Sequence, residues 1–169
     1  PQMLAVNRRQ NPECEHILGD MTSLDLGRQF DCVLVHDAIM YATTPDAVRA
    51  TIACAARHCR RGGVAVFLPD CVKETYVPAT AKGGDDSADG RGLRHLQWRW
   101  DPDPNDDTYE VGVTYLMREA DGRVWSGSEC HRFGCFSRED WTHWFGEAGF
   151  DVRIHSDPWR RDVFVGVRR

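Results

Sequence analysis

His36 and Asp37 close the apolar run of FDCVLVHDAIMY, residues 30–41, and Tyr41 ends the same stretch. Imidazole exchanges protons near neutral pH, so His36 could serve as a general base or acid; it could equally be a hydrogen-bonded structural histidine. A second candidate base, His131, lies in ECHRFGCFSREDW. Cys130-His131 with Cys135, and His58-Cys59, lack the paired CxxC spacing of structural zinc sites, so no metal site is expected. The aspartates of DPDPNDD, residues 101–107, lack the glycine and distal glutamate of a calcium loop, and a solvated hairpin tip is expected there.

The elements that must position these residues follow from pattern. Cys32, Val33, Leu34 and Val35 form a short apolar run that suits a strand covered on both faces, in the middle of a parallel sheet. Ligands bind beyond the carboxyl ends of such strands, which is where His36, Asp37 and Tyr41 fall. Thr44-Pro45-Asp46 starts a helix, Val48, Ile52, Ala55 and Cys59 mark its apolar face, and Gly62-Gly63 is expected to close it. Val64 to Leu68 then completes a βαβ unit.

Upstream, Pro1 to Asn11-Pro12 reads as a helix and Cys14 to Leu18 as a short strand. A domain seldom begins on a bare helix, and with no initiator Met the chain is expected to be the remainder of a longer one. Pro78 to Gly92 is polar and glycine-rich and reads as a mobile loop. Alternation follows, with Leu96, Trp98 and Trp100 on one face and Tyr109, Val111, Val113, Tyr115 and Met117 on another, and Asp121-Gly122 as a hairpin turn. Residues 71–135 are thus a loop plus an antiparallel insertion of two or three strands within one domain, 1–169. Ser137 caps a helix that Gly149 ends, and Phe150 to Ile154 pairs with the terminal VFVGV.

Acidic residues outnumber basic ones 26 to 21, for a net charge of -5. The arginines are scattered, which argues against nucleic acid as partner. No apolar run reaches membrane-spanning length, so no membrane partner is expected. The seven cysteines are odd in number and several sit inside apolar patterns, as free thiols of a reducing cytoplasm would.

Four segments carry a resemblance: GDM (19–21), FDCVLVHDAIMY, PDAVRATIACAARHCRRGGVAVF and FSREDWTHWFGEAGFDVRI. In this order they resemble the carboxyl-terminal two thirds of class I S-adenosylmethionine-dependent methyltransferases. The resemblance implies an α/β, Rossmann-like methyltransferase sheet with an antiparallel C-terminal strand and the antiparallel β insertion. That family's glycine-rich first loop and the acidic end of its second strand have no counterpart in the chain, so its first βαβ portion is expected to be missing.

Carried over by position, the resemblance assigns S-adenosylmethionine as cofactor. Asp20 would accept from the adenine amino group, Met21 and Met3 would flank the ring, and Val35 and His36 would face the methionine end. The insertion resembles the substrate cover of small-molecule methyltransferases, loosely those that N-methylate nucleotide-linked amino sugars. It makes Tyr41, Trp98, Trp100, Tyr109, Tyr115 and His131 the pocket candidates, with His36 and then His131 as base. Methyl transfer to a nitrogen or oxygen of a small molecule is the activity implied, with a homodimer allowed. The alternative is a non-catalytic methyltransferase-like binding or scaffold domain.

Overall fold

The computed structural model describes residues 2–169, so the expected role of Pro1 in the first helical turn lies outside the described residues. Helix α1 (Gln2–Gln10) buries none of its residues. The expected strand at Cys14 to Leu18 does not form. The segment is irregular and mostly exposed, and without a neighbouring strand its backbone has no ladder to join.

Strand β1 (Phe30–His36) leads through a 3₁₀ turn (Ala38–Tyr41) into helix α2 (Pro45–His58), and strand β2 (Cys59–Leu68) returns parallel to β1. Thr44 caps α2, its Oγ1 accepting from Ala47 N at 3.3 Å. The helix ends at His58, short of the expected Gly62-Gly63, because Cys59 already pairs with Phe30 in the sheet. The two glycines sit instead in an irregular start to β2. A Cβ on Gly63 would lie 2.9 Å from the carbonyl oxygens of Asp31 and Arg60, so only glycine lets the strands approach there.

Four strands make the second sheet: β3 (Ala79–Asp86), β4 (Gly92–Trp100), β5 (Thr108–Arg118) and β6 (Val124–Gly134), paired antiparallel in that order. Most of the expected mobile loop is therefore strand β3, in register with β4 from Ala79 opposite Arg99 to Asp86 opposite Gly92. Backbone ladders need no apolar side chains, and a polar strand is well suited to a sheet edge. Asp86 secures it by accepting from Arg94 Nη2 at 2.6 Å and Arg118 Nη2 at 2.9 Å. Gly122, at φ 85°, closes the β5–β6 hairpin as expected.

Helix α3 (Arg138–Glu147) precedes β7 (Phe150–Ser156) and β8 (Asp162–Arg168), and the first sheet runs β1-β2-β8-β7. Among the described residues β1 is thus an edge strand, not the central one expected. Leu34 is 64% exposed, so the face of β1 from which it projects is not covered among the described residues. The core lies around β2 and β8, where Phe67 pairs with Phe164 and Trp141 stacks on Phe164 at 5.0 Å.

Ser137 and Asp140 form a capping box at the start of α3, each side chain accepting from the other's backbone N–H. In the full-length protein, Ser137→Ala should cost about 1 kcal/mol of unfolding free energy in urea. Phe164→Ala should cost about 3–5 kcal/mol. Equal losses, or none at Phe164, would contradict this placement of the core.

Candidate active site

The parallel pairing of β1 and β2 brings their carboxyl ends side by side, His36 opposite Leu68. Asp37 N donates to Leu68 O at 3.2 Å, and the Asp37 backbone, at φ 44° and ψ -51°, turns the chain sharply into the 3₁₀ turn. Ile39 and Met40 are buried beneath that turn, and Met40 Sδ accepts from Asp70 N at 3.1 Å. Both strand ends are thereby tied to one apolar anchor. His36 Nε2 lies 3.1 Å from Asp37 Oδ1, and Asp70 stands beside them. Burial, with neighbouring Asp37 second, pushes the Asp70 carboxyl above the usual range.

The second sheet covers these ends with one face. Tyr109, Val111, His131 and Phe133 share that face, since Tyr109 pairs with Phe133 and Val111 with His131. The structure brings Tyr41 and His131 together: the Tyr41 hydroxyl lies 3.5 Å from His131 Nδ1, and the Tyr41 ring meets Phe133 edge-on at 5.0 Å. His131 Nε2 is 3.4 Å from Glu129, which also accepts from the Tyr115 hydroxyl at 2.9 Å. Tyr109 is 1% exposed, and its burial drives the phenol pKa far up, so it is a neutral wall. Trp98 and Trp100 pair with Gly112 and Glu110 and so project from the opposite face, where Trp98 is 60% exposed. The structure does not bring those two tryptophans to the strand ends.

Between this cover, the segment after β2, the start of α3 and the β7–β8 loop lies a cavity of about 850 Å³. Its wall includes Asp70, Arg99, Arg138, Trp159, Arg160 and Arg161, none of which the sequence singled out. Asp157 organises the loop that delivers three of them. Its Oδ1 accepts from Trp159 N at 2.9 Å and Arg161 N at 2.8 Å, and its Oδ2 from Arg161 Nε at 2.8 Å. Burial alone would raise the Asp157 pKa, yet these bonds hold it below the usual range. Arg138 is set by a two-pronged pair with buried Asp162, at 2.6 and 3.1 Å. The signal available in the sequence was WRRD at a turn between two closing strands.

The four cofactor candidates other than His36 are divided. Met21 and Val35 line one apolar groove of about 320 Å³ between β1 and α2. Asp20 is exposed, and its Oδ1 accepts from Thr22 N at 2.8 Å and Thr22 Oγ1 at 2.7 Å, which lowers its pKa. Those bonds leave Oδ2 to accept from an amino group. Met3, 86% exposed on α1, does not line the groove of Met21 and Val35. An exposed acceptor, an apolar groove and a polar strand end fit the adenine and methionine parts of S-adenosylmethionine.

Residues 1–67 match the family model described as a methyltransferase domain. A dTDP-3-amino-3,6-dideoxy-alpha-D-glucopyranose N,N-dimethyltransferase of Streptomyces fradiae is 28% identical over 167 residues, covering 98% of this chain. The chain spans 64% of that relative's length. The structure of DesVI from Streptomyces venezuelae superposes with a TM-score of 0.90 at 25% identity, covering 99% of this chain and 70% of that one. The amino pentose methyltransferase CalS10 from Micromonospora echinaspora, solved with S-adenosylmethionine bound, gives 0.83 at 27% identity, covering 100% of this chain and 71% of that one. The βαβ unit ending at His36 and Leu68 and its antiparallel closing strands are thus similar to those of S-adenosylmethionine-dependent methyltransferases, a likeness that runs over nearly the whole chain.

Proposed function

We propose that the protein transfers methyl groups from S-adenosylmethionine to the amino nitrogen of a nucleoside-diphosphate amino sugar. The cavity carries this reading. On a chain of net charge -5, four arginines, Arg99, Arg138, Arg160 and Arg161, converge on one space at the strand ends. Guanidinium forks match the oxygens of a diphosphate, and the exposed ring of Trp159 offers a flat apolar surface to a base. The likeness to dTDP-amino-sugar N,N-dimethyltransferases supports the same substrate class.

When bound, S-adenosylmethionine supplies a methyl group activated on sulfonium. Asp20, Met21, Val35 and His36 are the residues that would hold it. The chain's remaining tasks are to fix the acceptor amine, to keep water out beneath the second sheet, and to receive the proton the amine gives up. His36, next to Asp37, and His131, between Tyr41 and Glu129, are the proton acceptors in this reading. Seven free cysteines suit a reducing compartment such as the cytoplasm. A homodimer belongs to the same reading, with Leu96 (54% exposed) and Trp98 on the outer face of the second sheet covered by a second copy. Sedimentation should then give a dimer for the full-length protein and a monomer for Trp98→Glu, and a wild-type monomer would remove this part.

Incubated with S-adenosylmethionine and dTDP-3-amino-3,6-dideoxyglucose, the full-length protein should add one or two methyl groups to the sugar, read by mass spectrometry. Intact binding of S-adenosylhomocysteine without transfer would sink the substrate class, and absence of that binding would sink the cofactor. Asp157→Ala releases the Trp159 and Arg161 backbones together with the Arg161 guanidinium. It should raise KM for the nucleotide sugar about tenfold, the scale of one lost charged hydrogen bond, and leave S-adenosylhomocysteine affinity unchanged. An unaltered KM would show that the loop does not hold substrate.

A further inference from the structure

Resting on that substrate reading, we propose that Asp70 recognises the acceptor nitrogen and makes the enzyme select an amine over a hydroxyl. The cavity wall contains two carboxylates, Asp70 and Asp162. Asp162 is committed to Arg138 through both of its oxygens. Asp70 is not: among the described residues its nearest cation is Arg161 Nη1 at 3.7 Å, beyond hydrogen-bond distance. That guanidinium is already bound through Nε to Asp157 at 2.8 Å and stands 3.6 Å from Asp37.

Asp70 is also held in place. Its backbone N–H is fixed on Met40 Sδ, and Pro69 before it is fully buried. Its side chain lines the cavity, 41% exposed, and the carboxylate keeps acceptor capacity for a donor that arrives there. The pKa of the group is raised, by burial first and Asp37 second. A hydroxyl would offer it one neutral hydrogen bond. An ammonium would offer a charge-assisted bond and cancel the charge. The cavity then offers arginines to the diphosphate and, beside Arg161 and next to the end of β1, Asp70 to the nitrogen. Asp70 is a recognition residue here, while proton uptake stays with the histidines.

The test is calorimetric binding of two dTDP-sugars that differ only in an amino or a hydroxyl group at one carbon, to full-length protein saturated with S-adenosylhomocysteine. Wild type should prefer the amine by about tenfold or more, the scale of a charged hydrogen bond. Asp70→Asn should bind the hydroxyl sugar as wild type does and lose the preference, and Asp70→Glu should keep part of it. Asp70→Ser, with the same expectation as Asn, stands in if Asp70→Asn no longer binds S-adenosylhomocysteine. Retention of the amine preference in the neutral variants overturns the assignment, even if both sugars bind more weakly. Wild type that binds neither sugar overturns the substrate reading, and this assignment with it.

Discussion

The parallel pairing of β1 with β2 is the constraint on which the rest depends. It sets His36 opposite Leu68, so that Asp37 and Asp70 emerge side by side. Two bonds then hold the ends: Asp37 N to Leu68 O, and Asp70 N to Sδ of Met40, which is buried with Ile39 in the 3₁₀ turn. A strand slipped by one residue would turn every side chain of β1 to the other face and separate these groups. On β1 the side chains packed against the core are Val33 and Val35, while Phe67, Phe145, Phe164 and Trp141 pack together where β2 and β8 meet α3.

The second sheet partly covers the strand ends and leaves an open-sided cavity, with Trp159 76% exposed on its wall. Its inward face offers Tyr109, Val111, His131 and Phe133, with Arg99 opposite Val111 and Glu129 opposite Val113. Further charge enters from elsewhere. The β7–β8 loop, folded around the Asp157 carboxylate, and the first residue of α3 bring three of the four arginines to one wall. Arg138 and Arg161 are each fixed by a carboxylate of their own, Asp162 and Asp157, which limits the entropy lost when an anion binds.

How much of this was legible in the sequence varies with the kind of force involved. Some local signals held and others did not: Thr44 and Ser137 cap their helices and Gly122 turns its hairpin, but Gly62-Gly63 does not end α2 and Cys14 to Leu18 forms no strand. Strand β3 was hidden because its pairing is made by backbone, while its side chains are those of a loop. Period-two alternation correctly separated Trp98 from Tyr109, but it cannot say which face lies inward, and Trp98 faces out. The composition of β1 suggested two flanking strands, and the described residues provide one. Arg138, Arg160 and Arg161 escaped notice because surface arginines are common. Only the folded chain shows that Asp162 and Asp157 aim them at one space.

The central claim is that two spaces meet at the end of β1, the groove of Met21 and Val35 for the cofactor and the arginine-lined cavity for the substrate. A crystal structure of the full-length protein with S-adenosylhomocysteine and dTDP bound together tests it most directly. The account predicts the sulfur beside the end of β1 near His36 and the diphosphate against Arg138, Arg160 and Arg161, with the gap between them bordered by Asp70 and covered by His131. A diphosphate bound away from these arginines, or a sulfur on the far side of the second sheet, would contradict it.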